Sequence, residues 1–258
     1  MWEGVFLASV ACAVIMYMSF WFFVSIFSKR LDVVDTAWGL GFILIAFLTA
    51  IMNGGVSLQG GIITLLVFFW GLRITIHLSK RYSKKAEDFR YVAMRKRFGK
   101  YDIIASFFEV FLLQGAIMFV VALPIITANM SLTNNLTPWL GLGLAFWILG
   151  FFFESIADYE MTQFTANPKN KGKICDIGLW KNSRHPNYFG EIMMWWGIFM
   201  ISLPSSLWMV TILSPILLTL LITKVSGVPL VEGKFKSNKL YQAYKKKTNM
   251  LLPFSFKK

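Results

Sequence analysis

Long apolar blocks separated by short polar stretches set the pattern of this chain. Seven blocks stand out, at residues 4–28, 36–52, 61–79, 104–128, 138–160, 188–203 and 207–225. Each predicts a helix, because a backbone in hydrocarbon has to bond its own N–H and C=O groups. At about 1.5 Å rise per residue most of them cross a core about 30 Å thick, while the second and sixth are short and lean on their neighbours. No remaining stretch is long enough for a second globular domain. The expectation is an all-α integral membrane protein, a seven-transmembrane-helix bundle forming a single domain over residues 1–258. Residues 1–103 supply the early spans, and residues 104–258 the later spans with their loops.

Charge placement orients the bundle. Lys29 and Arg30 follow the first block, and nine Lys or Arg residues lie between Lys80 and Lys100. Five more run from Lys169 to Arg184, and eight from Lys234 to Lys258. The connections Asn53–Gly60, Asn129–Thr137 and Pro204–Ser206 carry no charge. With seven spans, every basic loop falls on one side, which predicts an outside N-terminus and a cytoplasmic C-terminus. The same bias, with attraction to anionic membrane lipid, accounts for the net charge of +13 without a nucleic-acid partner. The expected location is a bacterial inner membrane or the eukaryotic endoplasmic reticulum, where the sequons at Asn129 and Asn135 would face outward.

Absent residue types narrow the chemistry. Two histidines, His77 and His185, are too few for a membrane di-iron oxygenase, and no metal-ligand spacing is present. There is no P-loop and no glycine fingerprint after a strand, so a bound nucleotide would have to sit in the bundle and its loops.

Three polar clusters remain. Glu154 and Asp158 lie at i and i+4 at the end of the fifth block, on one helix face, with Glu160 directed elsewhere. Ser183-Arg184-His185-Pro186-Asn187-Tyr188-Phe189-Gly190-Glu191 opens the sixth block. Proline suits a first helical turn, and from it Asn187, Tyr188 and Glu191 project the same way. Arg184 and His185 precede it in a loop suited to an anion, and the set matches phosphate and ribose hydroxyls. The plainer readings are a structural pair of Glu154 and Asp158 with Arg184 or Lys181, and an interfacial anchor of Tyr188 and Arg184. The third cluster comprises Asp35, Arg73 and His77 at i and i+4, and Glu87-Asp88-Phe89-Arg90-Tyr91; a helix-end salt-bridge network is its plainer reading. Glu109 and Gln114 are weaker candidates.

The Ser183–Glu191 stretch, with Glu154-x-x-x-Asp158 and Gly178-Leu179-Trp180 before it, resembles the DUF1295 branch of the membrane steroid 5-alpha-reductase-like superfamily. Asp35-Thr36-Ala37-Trp38-Gly39, Glu87–Tyr91, Ser226-Gly227-Val228-Pro229-Leu230 and Tyr241-x-x-Tyr244 before Pro253-Phe254 extend the likeness over nearly the whole chain. The resemblance implies an NADPH-dependent oxidoreductase that reduces an activated carbon–carbon double bond of an apolar, steroid- or lipid-like substrate. It puts Glu154, Asp158, Arg184, His185, Asn187, Tyr188 and Glu191 at the cofactor. Methyltransferases acting on isoprenylcysteine and phospholipid share Arg-His-Pro-x-Tyr, so S-adenosylmethionine and methyl transfer are the alternative. A transporter or scaffold is a third reading. One departure concerns the substrate: the tyrosine that holds the ketone in steroid reductases falls on Trp70, which cannot give up a proton. Asp35, Arg73 and Tyr91 are the candidate catalytic residues.

Overall fold

The computed structural model describes residues 2–82, 86–131, 134, 136–205 and 207–254. Among them all regular structure is helical, apart from a single-residue bridge between Ser183 and Asn249. Helices α1 (Trp2–Ser28), α2 (Val33–Met52), α3 (Leu58–Tyr82) and α8 (Pro138–Ala166) are continuous. Between α3 and α8 come α4 (Phe89–Phe98), α5 (Asp102–Ser106), a π-helical turn at Phe107–Leu112, α6 (Leu113–Val121) and α7 (Leu123–Met130). After α8 follow α9 (Pro186–Ser202), α10 (Trp208–Thr211), α11 (Leu213–Leu220), a second π-turn (Leu221–Val225), α12 (Val228–Lys234) and α13 (Lys239–Lys247).

Among the described residues, six runs are long and apolar enough to cross a membrane: α1, α2, Leu58–Lys80, Phe89–Val121, α8 and Trp208–Lys234. The chain is a multi-pass integral membrane protein. The sixth expected block forms α9, whose 17 residues rise about 25 Å, short of a core about 30 Å thick. The fourth block departs from its expected bounds of 104–128. Its helical run starts at Phe89, and the rod breaks after Val121 because Pro124, in the first turn of α7, has no N–H to continue it. Pro215 in the first turn of α11 marks a similar break after α10.

Two compact units emerge. In the first, Met1–Leu136 with Ser202–Thr211, α2 packs against α1, α3 and α7. Gly39 and Gly71 let α2 and α3 touch: a Cβ at Gly71 would stand 2.6 Å from the Gly39 carbonyl. Phe42, Ile45, Ile63, Phe111 and Met118 fill the interior. Asn129 removes one expectation. It lies fully buried in α7, and its amide nitrogen donates to the Ala46 carbonyl at 3.0 Å and Thr49 Oγ1 at 2.8 Å. A side chain sealed and bonded there is no glycan acceptor, and Asn135 lies outside the described residues.

The second unit comprises Thr137–Ile201 and Ile212–Lys258. Here α8 and α9 meet through two glycine pairs, each partner seven residues from the next. A Cβ at Gly143 would stand 2.6 Å from the Gly197 carbonyl, and one at Gly150 would stand 2.5 Å from that of Gly190. Backbone contact this close brings the polar end of α8 against the first turns of α9. The C-terminal segment then closes on the loop before α9. Ser183 Oγ donates to the Leu251 carbonyl at 2.7 Å, the Arg184 N–H to that of Asn249 at 2.9 Å, and the Tyr244 hydroxyl to that of Trp180.

Candidate functional site

Glu154 and Asp158 occupy successive turns of α8 and are both buried. The glycine contact sets their neighbours: a Cβ at Gly190 would stand 3.0 Å from the Glu154 Cβ. Asn187 and Glu191 flank that glycine on α9, so the expected gathering of Glu154, Asp158, Asn187 and Glu191 has a physical basis. Asn187 Nδ2 donates to Asp158 Oδ1 at 3.4 Å, a long bond. Its Oδ1 is buried and has no hydrogen-bond partner among the described residues. Such an acceptor beside carboxylates suits hydroxyl or amide N–H donors of a ligand. Glu160 turns away, as expected, and accepts the Leu179 N–H at 2.9 Å.

Arg184 and His185 turn toward the C-terminal segment. Arg184 Nε donates to Glu232 Oε1 at 2.8 Å, and Nη1 to the carbonyls of Thr248 at 2.6 Å and Lys245 at 3.3 Å. His185 Nε2 lies 3.2 Å from the same Glu232 oxygen, and Lys245 Nζ lies 2.5 Å from the other. Tyr188 stacks on the His185 ring with centroids 5.3 Å apart and planes 13° apart. Glu232 is therefore the residue that motif reasoning overlooks. A sequence signal existed: it is the only acidic residue after Glu191, in a stretch otherwise basic.

Burial drives the His185 imidazole below its usual range, to about 4, outweighing the pull of Glu232 in the other direction. The imidazole is neutral at pH 7, with Nε2–H donating to Glu232. As pH falls from about 6.5 toward about 4, the unfolded chain takes up a proton that the folded chain refuses, so stability drops. The expected loss at the bottom of that window is about 3 kcal/mol. Thermal unfolding of His185→Gln between pH 7 and pH 4.5 should have a flatter pH dependence than the parent; equal slopes would contradict this assignment.

In the first unit, Asp35 is shared by two residues of α4. Arg90 Nη2 donates to its Oδ2 at 2.7 Å and the Tyr91 hydroxyl to its Oδ1 at 2.5 Å. Arg90 also bonds Asp88 at 2.9 Å, and Tyr91 is buried. Arg73 and His77 sit half-buried one turn apart on α3. The salt-bridge network is present as well: Arg30 pairs with Asp32 at 2.8 Å, Arg95 with Glu87 at 3.3 Å, and Asp32 Oδ2 accepts the Asp88 N–H at 3.0 Å. Glu109 pairs with Arg97 at an exposed position.

Residues 21–248 match the model of a family described as a protein of unknown function, DUF1295. The chain belongs to this family. An uncharacterized protein of Schizosaccharomyces pombe is 22% identical to this DUF1295 protein over 202 residues, 69% of this chain and 59% of the relative. The chain thus spans about three-fifths of that relative's length. No solved structure matches this DUF1295 protein.

Proposed function

We propose that this DUF1295 protein is an NADPH-dependent reductase of an apolar, membrane-dissolved enone or enoyl compound. It crosses the membrane seven times, with the N-terminus outside and the basic loops in the cytoplasm, so NADPH arrives from the side of α9's first turn. The observation that carries the reading is the buried, unpartnered Asn187 Oδ1 beside Asp158. Together with Glu154 and Glu191 it offers acceptors to ribose hydroxyls and to a carboxamide N–H, which fits that cofactor. Bound NADPH supplies the hydride for the carbon β to a carbonyl. The protein's part is to bind, to orient, and to stabilise the developing enolate oxygen. Asp35, Arg73 and Tyr91 are the candidate catalytic residues, with the Tyr91 hydroxyl donating to Asp35.

A thermal-shift titration of purified protein with NADPH, NADH and S-adenosylmethionine tests the binding. At 100-fold its dissociation constant, NADPH should stabilise the protein by about 2.7 kcal/mol. Asn187→Ala and Glu191→Ala should lose that stabilisation, and Asp35→Asn should keep it. Stabilisation by S-adenosylmethionine alone would move the reading to methyl transfer, and none by any ligand would favour a transporter or scaffold.

A further inference from the structure

The uncharged end of the first unit holds a cavity that the proposed reaction does not use. It is part-open, has a volume of about 360 Å³, and draws its walls from three separate stretches of chain. Trp2 and Glu3 come from the first turn of α1, Thr127, Met130 and Ser131 from the end of α7, and Leu207 from the segment before α10. A space of this size suits a small molecule or a headgroup.

Glu3 gives the cavity its sign. Residues 1–28, 36–72, 110–153 and 192–223 contain no other acid and no lysine, arginine or histidine. No basic side chain of those stretches can meet its carboxylate, so a cation found there is one that the protein binds. Trp2 stands beside it, with its ring 5.3 Å from that of the buried Phe6, and an indole face attracts cations. Thr127 donates its own proton to the Pro124 carbonyl at 3.4 Å, which leaves its oxygen to accept an N–H. An inorganic cation would use the carboxylate but gain nothing from Met130 and Leu207. An ammonium carried on an apolar body uses both kinds of wall. Val5, Trp208 and Met209, close in sequence to the lining residues, are exposed, as side chains that meet acyl chains are.

We infer that this cavity binds the primary ammonium headgroup of a membrane lipid, held between the Glu3 carboxylate and the Trp2 ring. The Thr127 oxygen accepts an ammonium N–H, and Met130 and Leu207 cover the carbons beside it. The site is separate from the candidate cofactor site and does not depend on the reductase reading. One headgroup seated here touches α1, α7 and the segment before α10, so its binding ties the three together and stabilises the folded protein.

The test is native mass spectrometry of the full-length protein in detergent, titrated with dioleoylphosphatidylethanolamine. Dioleoylphosphatidylglycerol, with the same chains and no ammonium, serves as the control for lipid drawn to the basic loops. Glu3→Gln should weaken binding of the ethanolamine lipid about fivefold, the upper end for a surface ion pair, and leave the glycerol lipid unchanged. Trp2→Leu keeps an apolar wall and should lose about threefold, so the test does not hang on one variant. The ethanolamine lipid should raise the melting temperature of the wild type and not that of Glu3→Gln. If Glu3 served only the positive end of the α1 dipole, its variant would melt lower with and without lipid and bind both lipids as the wild type does. That result, a wild type that binds no ethanolamine lipid, or parallel loss of both lipids would overturn the inference. Displacement of the lipid by millimolar free ethanolamine would support the ammonium site with a water-borne amine as its occupant, and retention would support the lipid.

Discussion

Glu232→Ala should cost about 3–5 kcal/mol, because it strands the buried guanidinium of Arg184 without a counter-charge. Arg184 and Glu232 expose only 8% and 10% of their side chains, so water cannot replace the lost partner. Lys245 is half exposed, and its own pairing with Glu232 adds little. The expected sign reverses for the pair taken together. Arg184→Met combined with Glu232→Met removes both charges, and should recover much of the stability lost by either change alone. Chemical unfolding of the two single variants and the double in detergent measures this coupling. Strict additivity would mean that the two charges do not meet in the folded protein.

Gly190→Val should be nearly as damaging, at about 3 kcal/mol, the upper part of the range for overpacking. The added Cβ would stand 2.5 Å from the Glu154 backbone nitrogen and closer still to the Gly150 carbonyl. Both are main-chain atoms of α8, which no rotamer change can move aside. The helices would have to separate, and the carboxylates of α8 would lose their register with Asn187 and Glu191. Gly141→Ala on the facing helix α8 supplies the contrast, since nothing lies within 4 Å of its added carbon. It should gain slightly in helix propensity and keep ligand binding. Equal melting temperatures for the Gly190 and Gly141 variants would show that α8 and α9 do not pack as described.

What could be read from the chain follows from the range over which each interaction acts. Apolar blocks revealed where the helices lie because hydrocarbon imposes helix on any run that enters it. Their ends were less legible. The basic, polar α4 continues the fourth run beyond its apolar block, and Pro124 and Pro215 break rods that hydropathy shows as continuous. Within the candidate site, Glu154 with Asp158 and Asn187 with Glu191 were visible because both are i, i+4 pairs. The approach of those pairs depends on Gly150 meeting Gly190, 40 residues apart, and glycine carries no chemical mark of its partner. Glu232 was hidden for the same reason, lying 48 residues from Arg184. The partners of Asp35 on α4, Arg90 and Tyr91, were hidden likewise, because the turn into α4 brings them back to it over 55 and 56 residues.

Hydride transfer from NADPH leaves an isotopic trace in the reduced product. Purified protein would be incubated with a membrane lipid extract and NADPH carrying deuterium at its transferable nicotinamide position, and the lipids then analysed by mass spectrometry. The parent protein should form a reduced lipid that carries one deuterium on carbon, and Glu191→Ala should not. A lipid fraction without transferred deuterium, or equal transfer by the Glu191 variant, would contradict hydride transfer at this site.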